Sequence, residues 1–286
     1  MASNSWPGYA PLYLAEELGY FDEHIQLKLM TSASEVMHAF RAESVQVAAL
    51  TLDEALTLVE DQFDIKVILV MDFSDGGDVL MVKPNITSLQ ELRGKKIAVE
   101  YTAVGAIMLD GAMKAGGLTA NDITIVNCPV DQHIECYPKN DAVVTFEPNK
   151  TLLANMGAKN LFDSRQIKGR IVDVLVVSSK LVTNQQALIS KLVAGYFKAR
   201  QYMGQEPSLA LEKMSGYLGL SAEELKEAFT GLQLPGLEEN HALLDRQRPG
   251  NIEESAQQLL TLMVEQSLLK APFNIEQFID NQYLPQ

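Results

Sequence analysis

Eight short runs rich in valine and isoleucine recur along the first 177 residues, at 25–30, 45–50, 65–71, 79–82, 96–99, 123–126, 142–146 and 172–177. Most are separated by stretches long enough for a helix. Strands alternating with helices are the pattern of an α/β fold, in which a largely parallel sheet is crossed by helices on its faces. Beyond residue 178 the pattern changes: residues 181–202, 208–218, 222–231 and 252–269 read as helices with no convincing strand among them. At 286 residues the chain exceeds the usual length of one domain. Two lobes of about 100 to 150 residues each are the natural expectation.

Several predicted helices begin with a hydroxyl followed three residues later by glutamate: Ser32/Glu35, Thr51/Glu54, Ser88/Glu91 and Ser221/Glu224. In such a capping box, side chain and backbone satisfy one another. The segments TSASE and TLDE directly follow predicted strands, so they lie at strand carboxyl ends, where ligands bind in open α/β sheets. Ser32, Ser34, Thr51 and Asp53 are therefore candidate ligand contacts. Further on, residues 95–100 run as a strand into Tyr101, Thr102 and Gly105, and the helix that follows ends at Gly116 and Gly117. Small residues at such a junction let backbone amides approach a bound group. In DAVVTFEP, Glu147 closes a strand and Pro148 opens a helix; the glutamate either faces a ligand or caps that helix electrostatically.

The N-terminal run WPGYAPLYLAEELGYFDE, residues 6–23, combines a rigid aromatic turn with a short amphipathic helix over 11–18, stopped by Gly19. Trp6, Gly8 and Tyr9 then sit at a helix N-terminus, where free N–H groups can meet a ligand, or Trp6 simply packs that helix. This run, with TLDEAL and VTFEP, resembles the solute-binding proteins of ABC importers in the nitrate/sulfonate/taurine and thiamine-precursor group. The resemblance covers nearly the whole chain. It implies a two-lobed periplasmic-binding-protein fold of type II, with mixed, mostly parallel sheets and a helical C-terminal tail. It places lobe I at 1–80 plus 176–286, lobe II at 81–175, and hinge crossings near 77–84 and 173–178. DVLMVKP and DVLVVSS read as a pair of similar hinge strands. The resemblance also implies a first strand ahead of Trp6, for which only five residues remain, so sequence is expected to be missing upstream. It implies a small-molecule ligand, a membrane permease as partner, a monomer, and a periplasmic or lipid-anchored extracytoplasmic location; a genuine start at Met1, which opens no signal sequence, would imply the cytoplasm.

Asp53, Asp72, Asp75, Asp78, Glu100, Glu147 and Asp173 cluster at or near predicted strand ends, where lysine and arginine are largely absent. A cleft lined by carboxylates favours an amine, amidine or aminopyrimidine over a simple sulfonate or nitrate. Trp6, Tyr9 and Tyr101 supply faces for a flat ring or a cation. The net charge of −14 opposes binding to nucleic acid or anionic lipid. No apolar run approaches the roughly 20 residues of a membrane helix, which argues against direct membrane insertion.

HExxH, GxSxG, paired CxxC and the glycine-rich nucleotide loops are all absent, and the four histidines have no ligand spacing, so neither a metal nor a cofactor is expected. Cys128 and Cys136 are either a disulfide or two separate buried thiols, with His133 between them. A non-enzymatic binding protein is the expectation. The alternatives are a cytosolic enzyme on the same fold, of the chorismate-dehydratase or pyrimidine-precursor-synthase kind, or a ligand-sensing module of a receptor. The synthases carry a cysteine-rich motif that two cysteines cannot form, and the dehydratases act on an anionic substrate that the acidic junctions disfavour.

Overall fold

The computed structural model describes residues 1–100 and 103–286. Among those residues eleven strands build its two sheets: β1 (Ala2–Ser3), β2 (Lys28–Leu29), β3 (Val47–Thr51), β4 (Ile65–Ser74), β5 (Val79–Val82), β6 (Lys96–Val99), β7 (Thr124–Asn127), β8 (Ala142–Thr145), β9 (Lys159–Asp163), β10 (Val172–Ser178) and β11 (Leu232–Gln233). The chain divides into two compact units, the first comprising residues 1–73, 172–226 and 234–286, the second 74–171 and 227–233.

The six-stranded sheet has the order β11-β4-β10-β3-β1-β2. β1 runs parallel to β2 and β3, while β10 runs antiparallel to β3 and β4. The centre of this sheet is apolar on both faces: Val67 to Met71 and Val174 to Val177 are fully buried. That is why these segments read as continuous apolar runs rather than alternating ones. Helix Ala10–Glu17 packs on Gln186–Gln205 and Pro207–Leu218, and Leu52–Glu60 packs on Ile252–Glu265. The helical tail thereby covers the sheet of the first unit.

One buried polar side chain closes this sheet. Asn240, 0% exposed, accepts the Val70 N–H at 2.8 Å and donates to the Val70 carbonyl at 3.1 Å, so its amide stands in for a neighbouring strand. A backbone pair left without it would be buried and unsatisfied.

In the second unit the order is β7-β6-β8-β5-β9, with β6 parallel to β7 and β8, and β5 antiparallel to β8 and β9. Both sheets are therefore mixed, and the antiparallel pairings are made by β5 and β10. The similar strings DVLMVKP and DVLVVSS fall on these two strands, one in each sheet. Segment 227–233, read from the sequence as part of the tail of lobe I, packs with the second unit. Asp75 N–H donates to the Gly231 carbonyl at 2.8 Å, and Gln233 Nε2 donates to the Asp75 carboxylate at 2.7 Å.

The strands missed in the sequence are β9 and the two-residue β11, too short or too polar to show an apolar run, whereas β1 is a strand ahead of Trp6, as the family resemblance implied. Cys128 and Cys136 form a disulfide, settling that choice. Among the described residues no helix is long and apolar enough to cross a membrane.

Asn240→Ala is expected to lower the unfolding free energy by about 2–4 kcal/mol, since one N–H and one C=O lose their only replacement for solvent. Urea titration followed by circular dichroism measures it, and a loss under 1 kcal/mol would show that the strand edge finds other partners.

Candidate functional site

The carboxyl edge of the first sheet is assembled by register. Asp173 of β10 lies opposite Thr51 of β3 on one side and Asp72 of β4 on the other. The aromatic turn after β1 folds onto this edge. Asn4 Oδ1 accepts the Trp6 N–H at 3.0 Å, and Pro7–Tyr9 form a 3-10 turn that leads directly into helix Ala10–Glu17. Gly19, with φ +67°, stops that helix as the sequence indicated.

The turn and the strand ends satisfy one another. The Trp6 indole N–H donates to both oxygens of Asp72 at 3.2 Å, and the Tyr9 hydroxyl donates to Asp173 Oδ1. Trp6 is 5% exposed, Asp72 0% and Asp173 2%. Burial, reinforced by the Asp173 carboxylate, pushes the Tyr9 hydroxyl well above its usual pKa, so it remains a donor across the physiological range. Gly8 makes the geometry possible: a Cβ there would lie 1.8 Å from Asp72 Oδ2 and 2.7 Å from Trp6 Nε1. Glycine is required by the close approach of a carboxylate.

Thr51 caps helix Leu52–Glu60, but its box is half closed. Glu54 Oε2 accepts the Thr51 N–H at 2.9 Å, whereas Thr51 Oγ1 is buried and makes no hydrogen bond among the described residues. Asp53 is fully buried in the first turn of that helix. Ser32 Oγ accepts the Glu35 N–H at 3.2 Å at the start of helix Ala33–Arg41, and Ser34 beside it is exposed. The Glu35 carboxylate reaches Thr31 N–H rather than Ser32 N–H. Trp6, Gly8, Tyr9, Thr51, Asp72 and Asp173 thus come together, with Asp53 two residues beyond Thr51.

The remaining candidates belong to the second unit. Asp75 is taken up by Gln233 and the 227–233 segment. Glu147, 2% exposed, accepts the Thr151 N–H at 3.1 Å and lies 3.4 Å from Lys150 Nζ, so the helix-capping reading describes it within its own unit. The candidates Tyr101 and Thr102 lie outside the described residues. Burial raises the pKa of Glu100, at the end of β6, against the opposing effect of the Val130 amide that donates to it.

His133, given no role by sequence reasoning, is 2% exposed with both ring nitrogens engaged. Nε2 lies 3.1 Å from the Cys128 carbonyl and Nδ1 2.8 Å from Thr145 Oγ1. A carbonyl only accepts, so Nε2 carries the proton and the Thr145 hydroxyl donates to Nδ1. Burial pushes the His133 pKa down to about 4. The only sequence signal for this histidine was its position between two cysteines. Among the described residues, no group of three potential ligands could hold a metal ion.

Residues 6–210 match the model of a family described as NMT1/THI5 like. The chain belongs to the NMT1/THI5-like family. Over 187 residues it is 24% identical to the taurine-binding periplasmic protein of Escherichia coli strain K12, a match covering 64% of this chain and 58% of that protein. The alignment therefore spans little more than half the length of that relative. The crystal structure of the periplasmic aliphatic sulphonate binding protein SsuA from Escherichia coli superposes with a TM-score of 0.80 at 14% identity, covering 98% of this chain and 91% of that one. The desulfurization enzyme DSZB shares the fold with a TM-score of 0.68 at 17% identity, covering 99% and 97%. The fold of this family member is thus the α/β, SsuA-type binding-protein fold with two mixed sheets.

Trp6 is the only tryptophan in this NMT1/THI5-like chain, so its fluorescence reports the Asp72 contact directly. Gly8→Ala is expected to displace the Asp72 carboxylate, shift Trp6 emission to longer wavelength and lower stability by about 2–4 kcal/mol. An unchanged spectrum would mean that the turn absorbs the methyl group elsewhere.

His133 generates a pH prediction. Its pKa is lower in the folded state, about 4, than the roughly 6.5 of an unfolded chain, so the unfolded state takes up the proton first as pH falls. The contribution is nil above about pH 6.5 and becomes an increasing destabilisation towards pH 4, reaching about 3 kcal/mol. His133→Gln should flatten the pH dependence of stability across that window in paired urea titrations at pH 7 and 4.5. Parallel curves for the two proteins would refute the assignment.

Proposed function

We propose that this protein is the solute-binding component of an ABC importer, working as a monomer outside the cytoplasm and delivering a small amine-bearing solute to a membrane permease. Family membership and the taurine-binding relative support the solute-binding role. The observation that carries the ligand class is the composition of the first unit's carboxyl edge. Residues 1–23, 42–65, 67–73 and 172–179, which supply it, contain Asp53, Glu54, Asp72 and Asp173 and not one lysine or arginine. Most of the chain's net charge of −14 also resides in the first unit, since acids and bases nearly balance in the second. Such an edge attracts an ammonium or amidinium group and repels a bare anion.

A zwitterionic aminosulfonate fits both halves of this reading. Its amine answers the acidic edge, and its sulfonate answers the Thr51 hydroxyl and the N-terminal amides of helix Leu52–Glu60. Taurine is the first compound to test. The contacts proposed within the first unit are Trp6, Tyr9, Thr51, Asp53, Asp72 and Asp173; the second unit, taken by itself, offers Glu100 and Glu147. The extracytoplasmic location rests on the periplasmic relative and on the Cys128–Cys136 disulfide, a bond that persists in oxidising compartments.

The same fold also serves an enzyme, DSZB. The binding reading is preferred because the two cysteines of this chain are joined to each other, leaving no free thiol for nucleophilic chemistry.

The experiment is a titration of Trp6 fluorescence and melting temperature with taurine, ethanesulfonate, ethanolamine and an aminopyrimidine, with mass spectrometry of the recovered solute. Taurine is expected to bind saturably and to be returned unaltered, stabilising the protein by about 2.7 kcal/mol at a hundredfold excess over its dissociation constant. Equal binding of ethanesulfonate would remove the amine requirement, and turnover of any compound would replace the binding reading with an enzymatic one.

A further inference from the structure

Three strand ends of the second sheet converge on one short loop, the segment 128–136 closed by its disulfide. β7 leads into it, and Cys128 N–H extends the ladder to the Val99 carbonyl at the end of β6 at 3.0 Å. Two residues on, the Val130 carbonyl accepts from Asn149 Nδ2 at 2.8 Å. His133 completes the set by joining the Cys128 carbonyl to the hydroxyl of Thr145, the last residue of β8.

These contacts reach the end of β6, the end of β8 and the segment that carries Glu147. β7 alone could not set the loop's position: it is the outermost strand, pairs with β6 in this sheet, and leaves most of its residues exposed, Ile125 by 36%. What fixes the loop is closure of the disulfide over the imidazole, with Cys128 and Tyr137 in the apolar cluster beneath, formed with Val79, Met81 and Val143, and Ile134 and Cys136 packed against it.

We propose that the disulfide-closed loop 128–136, acting through the Val130 carbonyl and His133, is the positioning element that holds the 145–149 segment of the second unit in the arrangement that meets the solute. His133 and Thr145 are positioning residues: neither needs to touch the solute. The inference rests on the reading that the second unit offers the solute a contact at this edge. In a neutral ring whose Nε2–H is committed to the Cys128 carbonyl, Nδ1 has one role left, to accept the Thr145 hydroxyl proton, so the turn after β8 is held at a fixed rotamer. An edge held in this way loses less conformational entropy when the solute binds.

The test compares Thr145→Val, which deletes the hydroxyl at nearly constant volume, with Thr145→Ser, which retains it, and with the double variant Cys128→Ser/Cys136→Ser. Residue-resolved hydrogen–deuterium exchange of the full chain without solute is the first readout. Thr145→Val and the double variant are expected to raise exchange at least tenfold at Thr151, whose amide caps onto Glu147 outside the loop. Thr145→Ser should match the parent protein, and the first unit should be unaffected. Unchanged exchange at Thr151 would overturn the proposal. A uniform rise through β5 and β6 would overturn it too, because the loop would then be a stabilising element and nothing more. The second readout is taurine affinity, expected to fall at least tenfold in Thr145→Val and not in Thr145→Ser; equal affinity in both overturns the positioning role. If the parent protein binds no taurine, the proposed solute is refuted, and exchange at Thr151 alone decides the fate of the loop proposal.

Discussion

Two carboxylates buried at the end of a sheet impose the organisation of the first unit. Asp72 and Asp173 stand side by side across β4 and β10, at 0% and 2% exposure. Ionised groups in such surroundings are tolerated only where hydrogen-bond donors are aimed at them. The donors come from the opposite end of the sequence: the Trp6 indole and the Tyr9 hydroxyl, more than 60 and more than 160 residues away. The Trp-Pro-Gly-Tyr turn follows from that requirement. Proline presets the 3-10 turn, glycine leaves room for the Asp72 carboxylate, and the two aromatic residues on either side bring one donor to each acid.

This arrangement changes the meaning of the acidic residues. Taken one by one they invite a cationic ligand, yet Asp72, Asp173, Asp75 and Glu147 each have a partner within their own unit. Their contribution to recognition is then the field of the edge as a whole, together with the fixed positions of the aromatic rings, rather than one exposed carboxylate. The two units reach rigidity by different means. The first uses charged hydrogen bonds between aromatic donors and buried acids. The second uses a disulfide, a neutral imidazole and backbone groups.

Much of the fold was legible in the chain. Every Val/Ile-rich run predicted as a strand contains one, because interior strands flanked on both faces must be apolar throughout and so stand out from their surroundings. The helical tail was legible through its period, and the end of the first helix through Gly19. What escaped were β9, β11 and the return of 227–233 to the second unit. Two-residue strands and a short polar segment carry no period, and only their pairing partners define them. The candidate site was legible in part. Strand ends and a turn motif identified Trp6, Gly8, Tyr9, Thr51, Asp72 and Asp173, but not which of them would bond to which. Nothing in the sequence gave His133 a task, since a histidine's role depends on the two groups that its nitrogens meet.

By itself the sequence determined the class of fold, the order of its elements and the acidic character of the strand ends, since these depend on local period, capping and composition. The tertiary structure alone decided that Cys128 and Cys136 are bonded, that Glu147 caps the Asn149–Asn155 helix, and that Asp72 and Asp173 are met by Trp6 and Tyr9. Each of these is a pairing between groups whose spacing along the chain carries no information about their distance in space. Burial then makes every such pairing obligatory, because a charged or polar group removed from water without its partner costs more than the contact itself contributes.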